Sequence, residues 1–127
     1  MSDKPSMRLS TVVLDAPNAP ELAGFYSRLL GWRPKYEEPD WVLLDAPGGG
    51  TCLSFQTVSY YHRPVWPEPQ AGDQSMMLHL DIEVDDLEAA VEHALAAGAE
   101  LAEFQPQDDV RVFFDPAGHP FCLWVQS

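Results

Sequence analysis

The sequence predicts an α+β chain built from two tandem βαβββ modules. Three observations carry that prediction. Two stretches repeat apolar residues at i, i+3, i+4, i+7 and i+8, the pattern of a helix with one buried face, and each closes on a glycine. Each stretch is preceded by one strand-like segment and followed by three. Late in each half the text nearly coincides, Cys52-Leu53-Ser54-Phe55-Gln56 against Cys122-Leu123-Trp124-Val125-Gln126, which points to duplication. A length of 127 residues suits one compact domain made of two fused half-modules.

In the first half, residues 9–14 (LSTVVL) are β-branched and apolar enough for a strand. Asp15-Ala16-Pro17-Asn18 reads as a turn into a helix, with Asn18 as cap and Glu21 at the capping-box spacing. Leu22, Phe25, Tyr26, Leu29 and Leu30 form its buried face, and Gly31 supplies the left-handed stop. Strand-like runs follow at 32–36, 41–44 and 52–58. Pro39-Asp40 and Pro47-Gly48-Gly49-Gly50 separate them.

The second half repeats the plan. Residues 78–84 (LHLDIEV) alternate, with Leu78, Leu80, Ile82 and Val84 on one face and His79, Asp81 and Glu83 on the other. Asp85, with Glu88 three on, is the expected start of a helix whose face is Leu87, Ala90, Val91, Ala94 and Leu95, ended by Gly98. Segments 100–104, 110–114 and 120–125 complete the module, the last two joined by Asp115-Pro116-Ala117-Gly118 as a hairpin turn. The domain plan is therefore a tail at 1–8, a first module at 9–58, a linker at 59–75 and a second module at 76–127. Proline and aromatic residues fill the linker (Tyr60, Tyr61, Pro64, Trp66, Pro67, Pro69). A loop that long either covers something or packs its rings on the outside of a sheet.

Charge narrows the partners. Seven Lys+Arg against 20 Asp+Glu give a net charge of −13, a field that repels phosphate backbones and anionic membrane surfaces. It favours a cationic small molecule, although acidity also serves solubility alone. No apolar run reaches the ~20 residues needed to span a bilayer. The first residues lack the basic-then-apolar pattern of a signal peptide, so a cytoplasmic protein is expected. Two cysteines without a Cys-x-x-Cys spacing make no disulfide scaffold. Gly48-Gly49-Gly50 joins two strands rather than opening a helix, which argues against phosphate binding.

Four motifs in order resemble the glyoxalase/bleomycin resistance/extradiol dioxygenase (vicinal oxygen chelate) superfamily. They are Phe25-Tyr26 with Leu29-Leu30-Gly31-Trp32, the run from His79 to Leu87, Ala97-Gly98-Ala99, and the run from Asp115 to Phe121. The resemblance spans about residues 8 to 126. It implies a half-open barrel, or cup, formed by the two modules, often in a homodimer. In metal-dependent members, ligands from the first and fourth strands of each module hold a divalent ion in that cup. Carried over, those positions are Thr11, about Cys52, His79 and Cys122, of which only His79 is of the usual ligand type.

Hard or borderline divalent ions need oxygen and imidazole donors, so the resemblance implies a cup without the usual metal triad and no cofactor. The alternative is zinc or another divalent metal on a softer set, Cys52, His79 and Cys122; buried, inert thiols are the plainer account of both cysteines. Strand alternation puts Thr11, Val13, Cys52, Ser54, Gln56, His79, Asp81, Glu83, Cys122, Trp124 and Gln126 on the cup side. Trp124 is suited to stacking on a planar or cationic ligand, Asp81 and Glu83 to pairing with positive charge, and Trp66 to contact from the linker. His62 could reach the mouth of the cup, whereas His93 and His119 read as a solvated helix residue and a turn residue. The leading expectation is binding of a small cationic or aromatic organic ligand, drug sequestration included. A metal-assisted lyase, isomerase or dioxygenase with His79 as catalytic base is the alternative, and a structural or partner-binding module with a filled cup the third reading.

Overall fold

A computed structural model describes residues 4–126; the first three residues of the expected tail, and Ser127 at the end of the second module, lie outside the described residues. The first module comprises β1 (Thr11–Ala16), α1 (Ala19–Leu30), β2 (Arg33–Glu38), β3 (Trp41–Asp45) and β4 (Cys52–Thr57). The second comprises β5 (Leu80–Glu83), α2 (Leu87–Ala97), β6 (Glu100–Leu101), β7 (Val110–Phe114) and β8 (Pro120–Trp124). Each module is a four-stranded mixed sheet, in the orders β1-β4-β3-β2 and β5-β8-β7-β6, with the first strand parallel to the fourth. Neither sheet closes, and the two form the half-open cup of the expected α+β fold.

The boundaries differ from the sequence reading where pairing outweighs propensity. β1 begins at Thr11 rather than residue 9, because its ladder starts where Thr11 meets Cys52 and runs to Ala16 opposite Thr57; Leu9 is left 70% exposed. β5 begins at Leu80, so His79 sits just before the strand and Asp81, not His79, stands opposite Cys122. β6 shrinks to two residues against Phe113 and Phe114. The cap of α2 is Asp86, one residue later than expected, and its Oδ1 accepts from the Ala89 N–H at 3.1 Å. Asn18 caps α1 as expected, accepting from the Glu21 N–H at 3.0 Å, and Gly31 and Gly98 close the helices in the left-handed region.

One aromatic core crosses both halves. The Tyr26 ring stacks on Phe55 at 5.6 Å, Phe25 lies 5.9 Å from Phe121, and Phe113 stacks on Phe121 at 5.4 Å. Tyr26 donates its hydroxyl to Asp115 Oδ2 at 2.7 Å, while Asp115 Oδ1 accepts from the N–H groups of Ala117 and His119. Burial raises the Asp115 carboxyl pKa; the His119 ring and these donors oppose the rise. The helix ends are finished reciprocally. Arg28 of α1 donates from Nε and Nη2 to the Ala97 carbonyl at the end of α2, and His93 of α2 donates from Nε2 to the Leu29 carbonyl near the end of α1. His93 is exposed on α2 as expected, and this bond also makes it a tie between the halves. His119 is another: its Nε2 donates to the Asp15 carbonyl of β1 at 2.7 Å.

Candidate functional site

Ladder register sorts each sheet into two faces. On the first sheet, Val12, Leu14, Val42, Leu44, Leu53 and Phe55 lie on the α1 side. The other side, the cup face, carries Thr11, Val13 and Asp15 of β1, Cys52, Ser54 and Gln56 of β4, and Trp41, Leu43 and Asp45 of β3. On the second sheet the cup face carries Asp81 and Glu83 of β5, Cys122 and Trp124 of β8, and Val110, Val112 and Phe114 of β7. His79 and Gln126, which alternation also assigns to the cup side, lie just outside β5 and β8.

The candidate residues are not equally available. Ser54 is 0% exposed and its hydroxyl is engaged with Thr11 Oγ1 at 2.7 Å, so this pair ties β4 to β1. Gln56, Asp81, Glu83 and Gln126 are exposed, and Trp124 is half-buried. Gln126 follows the end of β8. The Cys52 thiol lies 3.7 Å from Asp45 Oδ1, within the first module.

The second module gathers a different trio. His79 Nε2 lies 3.1 Å from Asp81 Oδ1, and ligand atoms of His79, Asp81 and Cys122 all fall within 4.8 Å of one another. Cys52 is outside this group, so Asp81 stands where the sequence reading put a second thiol. Burial, then the charge and hydrogen bond of Asp81, push the Cys122 thiol up to about 11, which keeps it protonated at neutral pH.

The cup face of the first module holds a cavity of about 850 Å³. Trp41 and Leu43 of β3 and Tyr36 of β2 give it apolar and aromatic walls, with Cys52 and Asp45 among the lining residues. Arg8, Lys35 and Glu38 add charge, and the Tyr36 hydroxyl donates to Glu38 Oε1 at 3.1 Å. Arg8 and Lys35 have no ion-pair or hydrogen-bond partner among the described residues. The sequence reading missed Trp41, Tyr36, Arg8 and Lys35. The alternation of Trp41 and Leu43 with Val42 and Leu44 was the signal available; the bulge between Pro34 and Tyr36 breaks the corresponding pattern in β2.

The linker occupies the second module. Tyr61 donates its hydroxyl to the Ala117 carbonyl at 2.7 Å, and burial pushes its phenol up to about 12. Trp66 packs 5.7 Å from Phe104 and 6.3 Å from Phe114, which stands on the cup face. His62 lines a smaller cavity of about 290 Å³ with Val13, Asp15 and His119, between the linker and β1. Among the described residues no helix is long and apolar enough to cross a membrane.

Comparison with known proteins agrees with this architecture. Residues 11–124 match the sequence pattern of the family described as glyoxalase-like domain. The fold is similar to that of a glyoxalase/bleomycin resistance protein/dioxygenase family enzyme from Burkholderia phytofirmans, with a TM-score of 0.69 and 20% identity over 94% of this chain and 98% of that one. It is similar to a glyoxalase-related enzyme from Fulvimarina pelagi, with a TM-score of 0.68 and 18% identity over 95% and 89%. It is also similar to lactoylglutathione lyase from Agrobacterium tumefaciens, with a TM-score of 0.62 and 15% identity over 96% of each chain. None of the curated proteins matches the sequence.

Proposed function

The chain belongs to the glyoxalase-like domain family, and from that premise we propose that it binds a small aromatic organic molecule on the cup face of its first module, retaining it without turnover. The observation that carries this reading is the cavity of about 850 Å³ walled by Trp41, Tyr36 and Leu43. A lining of apolar rings with a few ionic groups captures a planar ligand by burial and stacking and orients its polar substituents. The ligand charge expected from composition is refined here: Arg8 and Lys35 stand beside Glu38 and Asp45, so this wall suits an aromatic molecule with substituents of either sign. Two copies forming a homodimer, and sequestration of a drug-like aromatic compound, are consistent forms of the same reading.

Titration with a panel of aromatic compounds, cationic glycopeptides included, tests it by thermal shift. A bound compound raises the melting temperature, and Trp41→Ala weakens its binding at least tenfold. If no compound binds at millimolar concentration, or Trp41→Ala binds as tightly as the parent, the reading is wrong.

A second reading rests on the trio in the other module. An imidazole, a carboxylate and a thiol form a donor set that zinc accepts, so the residues fit such an ion. His79, Asp81 and Cys122 would hold it, and the ion would polarise a bound carbonyl or ionise a water. Two of these groups already meet, the His79 Nε2 lying 3.1 Å from Asp81 Oδ1. Elemental analysis of protein purified without chelator separates the readings: one zinc per chain, lost in His79→Ala and Cys122→Ser, favours metal-assisted chemistry, and its absence favours metal-free binding.

A further inference from the structure

The linker and the short edge strand β6 line a further cavity, of about 680 Å³, that the reading above does not use. Trp66, Phe104 and Phe114 line it together with Glu68, Glu100 and Glu103. Three rings and three carboxylates around one hollow are the two elements that recognise an organic cation, which gains from ring faces and from opposite charge at once. The rings stand close enough to act together, with Trp66 5.7 Å from Phe104 and 6.3 Å from Phe114.

The protein's own cation marks the preference of this place. The Arg63 guanidinium carbon lies 5.9 Å from the centre of the Phe114 ring, and its Nη2 sits 3.9 Å from Glu100 Oε1. One ring and one carboxylate therefore already hold a cation. Glu68 and Glu103 have no ion-pair or hydrogen-bond partner among the described residues, so two charges at the hollow are left uncompensated. Phe104 is 51% exposed and Leu101 42%, an apolar surface that a ligand carrying methyl groups would cover.

We propose that this hollow is a binding site for a small quaternary ammonium compound, held over the rings of Trp66 and Phe104 and balanced by Glu68 and Glu103. A methylated ammonium suits it better than a bare ammonium, because its charge is weakly hydrated and its methyl groups contribute apolar area to the rings.

Choline and its neutral isostere 3,3-dimethylbutan-1-ol test the proposal, since they share shape and differ in charge. Calorimetric titration of the full chain should show choline binding at least tenfold more tightly than the alcohol. Phe104→Leu, which keeps apolar bulk and removes the ring, and Glu103→Gln should each weaken choline severalfold. Glu92→Gln, an equal change of charge on the exposed side of α2, should not. Equal affinity for the two probes overturns the proposal, as does choline binding that is absent, unmoved by Phe104→Leu, or weakened as much by Glu92→Gln as by Glu103→Gln. Trp41→Ala, read in the same titration, distinguishes this site from the first-module cavity: choline binding should persist in it, and its loss would place the cation there.

Discussion

The two modules share a topology but not a cup face. In the first, β2 runs six residues and the face beside it stays open around Trp41, Tyr36 and Leu43. In the second, the equivalent edge strand β6 is two residues long, and the linker supplies Trp66 against Phe104 and Phe114 instead. The difference shows that two units of one topology can present unlike surfaces. A shortened edge strand leaves apolar side chains that something must cover, and the connector between the copies is the nearest chain available to do so.

The comparison can be broken most forcefully at the core beneath both faces. Phe55→Ala in the first module and Phe121→Ala in the second should each cost about 3–5 kcal/mol, as removal of a buried ring does. If Tyr26 and Phe25 join the halves as the geometry shows, urea denaturation of either variant gives one transition at lower midpoint. Two separate transitions would mean that the modules unfold independently.

The covering role of the linker is sharpened by Trp66→Ala. Half-buried, Trp66 should contribute about 1–2 kcal/mol. Its removal should raise binding of a fluorescent apolar dye by uncovering Phe114. Trp41→Ala should not raise it, because the first face is open already. Equal dye binding by the two variants would remove the contrast between the modules.

The smallest effect concerns the buried acid at the junction. Burial raises the Asp115 pKa, so the folded chain holds that proton more tightly than the unfolded chain does. The contribution of this group is fully present below its unfolded value of about 4 and is lost as pH rises through the folded pKa. Asp115→Asn has no such loss, so the stability of the variant relative to the parent should increase from about pH 4 to pH 7. Melting temperatures of both proteins across that range provide the check; a relative stability that falls with pH would contradict the raised pKa.

Much of the fold was legible because helix periodicity and caps are local signals. Asn18, Gly31 and Gly98 act where their types and spacing place them. Strand limits were less so: whether β1 begins at residue 9 or at Thr11 depends on where Cys52 arrives, which is a non-local fact. The site was legible as a face and illegible as a set of neighbours. Alternation put His79, Asp81 and Cys122 on one side, but only register shows that Asp81 stands opposite Cys122 and that Cys52 belongs with Asp45. The tie from His119 to Asp15 spans 104 positions and leaves no periodic trace.

Arg28 and His93 carry a consequence for how the two halves hold together. Each half lends the other a donor for a carbonyl in the last turn of its helix, Ala97 and Leu29. The exchange takes place within one polypeptide, across the two modules. The two helix ends are thereby linked: a change at Arg28 or His93 removes a donor from a carbonyl of the other half.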